Sequence, residues 1–553
     1  MRTEWLLADL NPDAVELGEV YGLNPLIVHL LLARGIPQKE FLSFLNPSLG
    51  DLYSPHRLPD MEKALGRIRS AIEKKEDILL FGDYDVDGIT SVIILNEYLK
   101  TTPCKVHFYI PHRVEEGYGL NTAAIDEARR KNCPLLIAVD CGTNSYEEIE
   151  YARSFGIDVI VLDHHTPKKG LNTPYAFINP KREESDYPFG ELSSGGIVFK
   201  FVQALSGRDC FELLDLVALS VVCDVAPLRG ENRIFLVEGL KQLRDPQRLA
   251  LKVLCETTKI KPANIQPYHL GYILGPRINA CGRIASAKEV LDLFLSDEYD
   301  TVREVAQKMN EYNTARRSIE SAIYKEAELL VEKEYKDDTV LVLSKEGWHQ
   351  GVLGIVASRL ADKYSRPAFL IGCDEKKGKG SARSVAGVHI MDALGECQDY
   401  LATYGGHKKA AGIEILEENI EAFRVKINAV VKDTFSQKQP ATRLTVDVQL
   451  DFKDITLGFV DDIERLSPFG EENRAPLFLS KGILPKTSPQ KLRYTMYSVW
   501  LTDGSCTYEA IFYERNGFFD LINYGKPLDV VYSLERNYYH NSVRLVLKDV
   551  RLA

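Results

Sequence analysis

No stretch of about 18 or more apolar residues occurs in this chain, so no segment is long enough to span a bilayer as a helix. The ten cysteines form no C-x-x-C pair and show no zinc-ligand spacing. Free thiols in a chain of this length fit a reducing compartment, which sets the expectation of a cytoplasmic protein. The start, MRTEWLLADLNPD, carries Arg2, Glu4 and Asp9 without a long apolar stretch, and does not read as a signal peptide. Basic excess is missing too. The formal net charge of −11 argues against indiscriminate polyanion binding, although a local basic groove remains compatible with it. Hydrophobic content of 45% and charged content of 27% are ordinary for globular proteins, and 553 residues suggest three or four domains.

What is present is an unusual concentration of acid. In FGDYDVDGITS (81–91), Asp83, Asp85 and Asp87 alternate between Gly82 and Gly88. Read as an extended segment, residues two apart share a face, and three like charges on one face call for a cation among them. Hard oxygen ligands favour Mg²⁺ or Mn²⁺. The alternative is a solvated acidic turn, and a short motif alone does not decide between them.

The surroundings do. DILLFGD (77–83), LLIAVD (135–140) and DVIVLD (158–163) are short apolar runs that each end in aspartate, the pattern of strands covered on both faces. ITSVIILNEYLK (89–100), NTAAIDEARRKN (121–132) and YEEIEYARSFG (146–156) have helical spacing, with Gly156 as a C-cap. Alternating strands and helices predict a parallel α/β sheet, and ligands of such sheets bind beyond the carboxyl ends of the strands. Three strands ending in aspartate therefore assemble carboxylates along one edge.

Candidate metal ligands are Asp83, Asp85, Asp87, Asp140 in VDCGT, His164 in LDHH, and Asp224, which interrupts the apolar run LVALSVVCDVAPL. A buried carboxylate needs a partner or a metal. One reading holds a single ion. In the other, a bridging carboxylate holds two ions about 3.5–4 Å apart, which suits in-line attack on phosphorus. The number of carboxylates favours two ions, with Asp140 bridging, Asp85 on one ion, and Asp87, His164 and Asp224 on the other. His165 points elsewhere than His164, toward a phosphate or a supporting role. Asp83 and Asp163 have a structural alternative, capping a loop or holding a histidine ring.

Residues 299–334 read as one helix, with Val302, Val305, Met309, Tyr312, Ile319, Ile323, Ala327 and Leu330 in a stripe; it spans about 50 Å and connects domains. A second α/β unit covers roughly 337–432, with TVLVLS and PAFLIG as strands and VLGIVASRLADKY as a helix. Glycine and basic residues cluster in GCDEKKGKGSARS and YGGHKKAAG. From about 440 the pattern changes to short alternating strands with Asp503-Gly504 at a hairpin turn, a small β-barrel or sandwich. SQKQPAT (436–442) reads as the linker.

DYDVDG, VDCGT and DHH resemble the first three motifs of the DHH phosphoesterase superfamily. SSGG (193–196), CDVAPLRGENR (223–233), WHQGVLGIVASR (348–359), GGHKKAAG, GPRINACGR (275–283) and SPFGEENRAPLF (467–478) are similar to its bacterial single-strand-specific 5′→3′ exonuclease branch over nearly the whole chain. The resemblance implies an α/β fold: a DHH parallel-sheet domain at 59–298 preceded by a helical extension packed on its core at 1–58, a long connecting helix at 299–336, a DHH-associated domain at 337–435 and a C-terminal OB-fold β-barrel at 440–553. It implies hydrolysis of single-stranded DNA to 5′-mononucleotides with two Mn²⁺ or Mg²⁺ ions in recombination and repair. Asp140, His164 and His165 would be catalytic. A single-strand-binding protein and a RecQ-type helicase would be partners of a monomer free of membrane.

Arg113, in the glycine-flanked loop IPHRVEEGYG, suits a bidentate grip on phosphate. The resemblance adds Arg283, Arg383 and Ser384 as readers of a terminal 5′ phosphate. Arg277 holds a neighbouring phosphate or a structural acid. His407 follows Gly405-Gly406, where backbone approaches a nucleotide closely, and His349 is a weaker candidate of the same kind. Tyr494, Tyr497, Trp500, Tyr508, Tyr513, Tyr532, Tyr538 and Tyr539 divide between barrel core and base-stacking platforms.

Three positions depart from family habit. Phe81 stands where small-substrate relatives place a metal-binding histidine, Ala382 replaces a glycine, and Met391 replaces a frequent arginine. Two other readings compete. A small-substrate phosphodiesterase would lack the β tail, and a non-catalytic binding protein would have lost metal ligands.

Overall fold

Asp83, Asp140 and Asp163 each follow the last residue of a strand in a single parallel sheet. The structure is a computed structural model describing residues 4–168, 174–435, 443–514, 517–523, 525–538 and 540–553. The proposed linker 436–442 and Tyr539 lie outside these residues. The chain forms two units, one of Pro55–Asp224 with Gly239–Gln439, the other of Met1–Ser54, Val225–Glu238 and Pro440–Ala553.

In the first unit the sheet runs in the order Val106–Tyr109, Ile78–Gly82, Leu135–Val139, Asp158–Leu162, Ala176–Ile178, all parallel. Ile78–Gly82 and Leu135–Val139 are buried throughout, as continuous apolar strands covered on both faces should be. Leu79, Phe81, Leu136, Ala138, Val159 and Val161 share one face and pack with the helices Thr122–Arg130 and Tyr146–Ser154. Leu80, Ile137 and Ile160 are buried on the other.

The expectation that residues 83–87 are extended is corrected. Asp85 caps the helix Val86–Leu99, its Oδ1 accepting from the N–H groups of Asp87 at 2.9 Å and Gly88 at 3.1 Å, and Asp87 lies in the first helical turn. Aspartate is a preferred N-cap because its carboxylate satisfies N–H groups that the helix leaves open. The turn folds tightly back onto the strand end. A Cβ on Gly88 would lie 2.5 Å from the Asp83 carbonyl oxygen, so only glycine fits.

The helix Tyr299–Lys333 packs beside Leu249–Thr258 and Gly275–Ile284 and then beside Gln350–Tyr364. Ile323, Ala327 and Val331 join the core of a second sheet, ordered Leu401–His407, Ala410–Leu416, Lys377–Arg383, Ala368–Asp374, Leu341–Glu346. KGKGSAR, which reads as a basic loop, is instead a strand of this sheet. Its glycines make that possible: a Cβ on Gly380 would lie 2.8 Å from Ile413 and 3.0 Å from Ile371.

In the second unit, Phe478–Pro485, Leu528–Asn537, Ser542–Leu552, Thr507–Tyr513 and Met496–Thr502 pair in turn, and Met496–Thr502 pairs back onto Phe478–Pro485. This closes a five-stranded barrel, removing its edges. Asp503-Gly504 makes the expected hairpin turn, with Gly504 at φ 94°. The core that residues 1–54 enter is the barrel's: Ile27, Val28, Leu30, Leu31, Phe41 and Phe44 cluster with Phe452, Phe478 and Tyr532. That differs from an extension packed on the sheet domain, and the apolar runs LIVHLLLA and FLSFL account for it by needing a large apolar partner. Among the described residues no single helix is long and apolar enough to cross a membrane; the bent pair Ala14–Tyr21 and Pro25–Ala33 has the composition, and Ala14, Ile27, Val28, Leu30 and Leu31 of it lie in this core.

Arg233 of RGENR is 1% exposed and donates to four backbone carbonyls, of Phe44, Arg465, Leu466 and Ser467, with its guanidinium 4.1 Å from the Phe44 ring centroid. It ties three sequence-distant segments of this unit together. Arg233→Met should destabilise the unit by about 3 kcal/mol or more, because several buried carbonyls lose their donors. A urea-unfolding midpoint equal to that of wild type would refute this.

Candidate active site

Residues from four elements converge beyond the sheet edge. Ligand atoms of Asp83, Asp85 and Asp140 lie within 4.8 Å of one another, and so do those of Asp87, His164 and Asp224. His164 links the groups: its Nε2 stands 3.3 Å from Asp140 Oδ1 and 4.0 Å from Asp87 Oδ2, and its Nδ1 stands 3.6 Å from Asp224 Oδ2. The three acids of DYDVD thus divide between two clusters rather than sharing one face. Asp224 occupies the C-cap of Leu214–Cys223, a helix-terminal acid by position and a member of the cluster by direction.

Each position has a local cause. Asp140 adopts φ +60°, left-handed for a non-glycine residue, which costs about 1–3 kcal/mol and persists only where surroundings enforce it. Its N–H is held by the Leu162 carbonyl at 3.0 Å. Gly142 follows at φ 100°, with Val161 3.0 Å from where a Cβ would stand. Asp87 is clasped at the start of the helix Ser194–Ser206. Its oxygens accept from the N–H groups of Ser194 and Gly195, both at 2.9 Å, and from Ser220 Oγ at 2.6 Å. The positive end of a helix favours this carboxylate. A Cβ on Gly195 would lie 2.5 Å from Ser220 Oγ, which explains SSGG.

Asp163 takes the structural alternative. It is 0% exposed, and it accepts from Thr143 N at 3.0 Å, His164 N at 2.7 Å and His165 Nδ1 at 2.7 Å. Burial alone would raise its carboxyl; the hydrogen bond and charge of His165 override burial and hold it below the carboxylate range. Burial also works against a charge on His165, but Asp163 outweighs it and lifts the imidazole above its ordinary value. His164 goes the other way. Burial, then the charge on His165, lowers it to about 3, leaving a neutral ring able to ligate.

The clustered carboxyls are strained electrostatically. Burial followed by like charge raises Asp87 to about 6 and lifts Asp83, Asp140 and Asp224 well above the usual range. Asp83 Oδ1 and Asp140 Oδ1 are buried and have no hydrogen-bond partner among the described residues. Orphaned carboxylate oxygens beside a neutral imidazole are a donor set that fits Mg²⁺ or Mn²⁺.

A second group carries the opposite charge. Arg283 is brought down to about 9 by burial and then by Arg113 and Arg316, and Arg383 is lowered by burial and then Arg113. Arg113 lies 4.6 Å from the Tyr84 ring centroid, between Asp83 and Asp85 in sequence. Glycines make the approach possible: a Cβ on Gly351 would lie 2.4 Å from the Arg283 carbonyl oxygen, and one on Gly354 3.1 Å from Arg383 Nη2. Ser384 spends its hydroxyl hydrogen on the Val388 carbonyl at 2.8 Å. Arg277 stands apart, donating to Asn310 Oδ1 at 2.6 Å and the Ile273 carbonyl at 2.7 Å; it holds an amide of the long helix, not an acid. His349 caps Gln350–Tyr364 by accepting from Gly351 N. His407 stacks on His165, centroids 6.3 Å apart at 16°. Tyr118 escaped the sequence reading. Its hydroxyl donates to the Asp140 carbonyl at 3.1 Å and lies 3.1 Å from His165 Nδ1; its place in the EGYG loop beside Arg113 was the available signal.

A parallel sheet with carboxylates and paired histidines at its carboxyl edge defines a phosphoesterase of the DHH class. Residues 77–221 match the DHH family, N-terminal domain, residues 337–433 the DHHA1 domain, and residues 446–549 the RecJ OB domain. The chain is 33% identical over 559 residues to the single-stranded-DNA-specific exonuclease RecJ of Bacillus subtilis (strain 168), covering 100% of this chain and 71% of that protein. It belongs to the RecJ family. The crystal structure of RecJ in complex with Mn²⁺ from Thermus thermophilus superposes with a TM-score of 0.85 at 25% identity, covering 100% of this chain and 80% of that one. Exonuclease RecJ bound to manganese gives a TM-score of 0.61 at 31% identity, covering 70% and 96%.

A carboxyl whose folded pKa lies above its unfolded value takes up a proton on folding. Its contribution to stability is present at low pH and falls as pH rises from the unfolded value near 4 through the folded one. For Asp87 that window closes at about 6, and for Asp83, Asp140 and Asp224 it extends higher. Cations must displace these protons. Mn²⁺ affinity by calorimetry should therefore rise from pH 5.5 to pH 8 with proton release at the acid end, and the Mn²⁺-induced increase in Tm should grow likewise. A pH-independent affinity would contradict the raised carboxyls.

Proposed function

We propose that this protein is a metal-dependent exonuclease that degrades single-stranded DNA from the 5′ end to 5′-mononucleotides, in recombination and repair. The observation that carries the reading is the adjacency of a buried carboxylate cluster with orphaned oxygens to a set of mutually repelling arginines. The first set suits cations and the second suits a phosphate. Their juxtaposition on a single-strand-exonuclease family chain fits a substrate ending in phosphate.

Asp83, Asp85 and Asp140 would hold one Mn²⁺ or Mg²⁺, and Asp140, Asp87, His164 and Asp224 the other. When bound, the ions would neutralise charge at the phosphorus and lower the pKa of a water so that it can attack as hydroxide. The remaining work belongs to the chain. Arg113, Arg283 and Arg383 bind the terminal phosphate and thereby fix which phosphodiester lies over the carboxylates, a gain in positioning that enters the rate directly. His165, held by Asp163 and kept protonatable by it, donates to a non-bridging oxygen where negative charge develops. His407 and Tyr118 hold that ring from two sides. Ser384 fixes the loop beside Arg383. Arg277 anchors the long helix.

In the barrel, Tyr532 is buried, Tyr508 donates to the Ile455 carbonyl and Tyr497 stacks on Phe512. Trp500 and Tyr513 are exposed on adjacent paired strands and are the proposed base-stacking platforms. A single-strand-binding protein and a RecQ-type helicase are the proposed partners of a cytoplasmic monomer.

The deciding assay uses end-labelled single strands with and without a 5′ phosphate, blunt duplex, and a cyclic dinucleotide, each with Mn²⁺ and with chelator. Metal-dependent release of mononucleotides from the 5′ end of the single strand alone is the expected result. Hydrolysis of only the cyclic dinucleotide would overturn it. Asp140→Ala should reduce kcat at least about a thousandfold with an unchanged fold by circular dichroism. Arg283→Ala should raise KM for the 5′-phosphorylated strand by about ten-fold or more and leave the 5′-hydroxyl strand nearly unaffected. Equal effects on both strands would remove Arg283 from terminal-phosphate reading.

A further inference from the structure

One helix runs without a break from Pro267 to Ile284, comprising a turn Pro267–His269, a π-helical turn Leu270–Leu274 and the segment Gly275–Ile284. Its inner side is fixed. Cys223 Sγ lies 3.7 Å from the Leu270 carbonyl, a Cβ on Gly275 would be 2.6 Å from that sulfur, and one on Gly271 would be 3.4 Å from Val222. The helix is thus packed against the end of Leu214–Cys223, the element that delivers Asp224. Beside it, two large aromatic side chains are left exposed to solvent. Tyr268 and Tyr272 are 60% and 73% exposed, with rings stacked at 5.1 Å and 21°. Steps of four, three and four carry the same row through Pro276 and Asn279 to Arg283. Asn279 Oδ1 on that row is buried with no hydrogen-bond partner, an acceptor left open at real cost unless a ligand donates to it.

A preassembled aromatic pair, an open amide oxygen and a phosphate-binding arginine in one row match the alternating chemistry of a single strand, with bases on one side and phosphates on the other. We propose that this row is a nucleobase-binding track, in which the Tyr268–Tyr272 pair takes an unpaired base by stacking and Asn279 accepts from a base or sugar donor. A duplex, whose bases are already stacked inside, offers nothing to the pair, so the track adds to single-strand preference. The proposal rests on the exonuclease reading for the identity of its ligand.

The test uses the full-length protein and a 5′-phosphorylated single strand of about 12 nucleotides. Binding is followed by anisotropy in chelator, and kcat and KM are measured with Mn²⁺. For Tyr268→Ala/Tyr272→Ala, Kd and KM should rise about ten-fold or more, with kcat unchanged and with turnover of a dinucleotide unchanged. Tyr268→Phe/Tyr272→Phe, which keeps both rings, should bind as wild type does. Abasic sites walked along the strand supply the cycle: at one position the abasic substrate should weaken wild type equally and add no further loss in the alanine variant. Wild-type affinity in the alanine variant, or additive losses at every abasic position, would overturn the track. A wild type that binds the strand without cutting it would overturn the exonuclease reading and leave the track standing.

Discussion

Repulsion among buried carboxylates is the constraint around which the first unit is arranged. Asp83, Asp87 and Asp140 are each no more than 3% exposed, and no lysine or arginine is ion-paired to them among the described residues. Isolated burial of such charges costs far more than a domain can supply, and burial followed by like charge raises all three carboxyls above the usual range. Everything nearby limits that cost without abolishing it. The start of Ser194–Ser206 and Ser220 absorb Asp87, the cap geometry absorbs part of Asp85, and His164 is kept neutral so that it adds a lone pair rather than a proton. What stays uncompensated, Asp83 Oδ1 and Asp140 Oδ1, is what a cation would satisfy.

The sheet edge was legible because its cause is periodic. Three apolar runs ending in aspartate state both the strand and the place where it stops, and the parallel topology then brings the ends together. The division of DYDVD into two clusters was not legible, because it depends on where the helix begins: an N-cap at Asp85 turns Asp87 by a helical step, whereas a strand would have kept it in line. SSGG was visible as a motif but silent as to role, since what Gly195 makes room for, Ser220, lies far along the chain. The same holds for RGENR. As a motif it gives Arg233 no role, and the fold surrounds that guanidinium with carbonyls from residues 44 and 465–467. Glycine spacing in KGKGSAR suggested a loop because strand glycines are uncommon, and only the packing of Ile371 and Ile413 shows why they are required. Side-chain reach across distant segments is the part that one-dimensional pattern does not carry.

Asp163 and Asp140 show how neighbouring acids of one sheet edge acquire opposite characters. Both are buried after strands. Asp163 receives four donors and lies below the carboxylate range; Asp140 receives none at Oδ1 and is pushed well above it. Donor supply separates these two acids, although Asp87, with three donors, still faces the cluster. The arginines differ instead in their charged neighbours. Arg277 holds Asn310 and the Ile273 carbonyl and is lowered by burial and then Arg317, whereas Arg283 and Arg383 are each lowered by burial and then Arg113.

The two charge clusters are complementary, since each gathers like charges that raise one another's cost: carboxyls at Asp83, Asp87 and Asp140, and guanidiniums at Arg113, Arg283 and Arg383. Cations alone relieve the carboxylates and leave the arginines repelling one another. A phosphate alone relieves the arginines and brings further negative charge toward carboxylates that have no partner. On the proposed reading, a phosphorylated strand together with cations would satisfy both sets. Binding of the two is therefore thermodynamically coupled, each lowering the cost of the other, and by reciprocity the coupling has equal size in either order. On the proposed reading, selectivity for the 5′ end of the strand and retention of the ions would have one physical origin. Fragments that offer phosphate without the right reach, or ions without substrate, leave part of the buried charge unmatched.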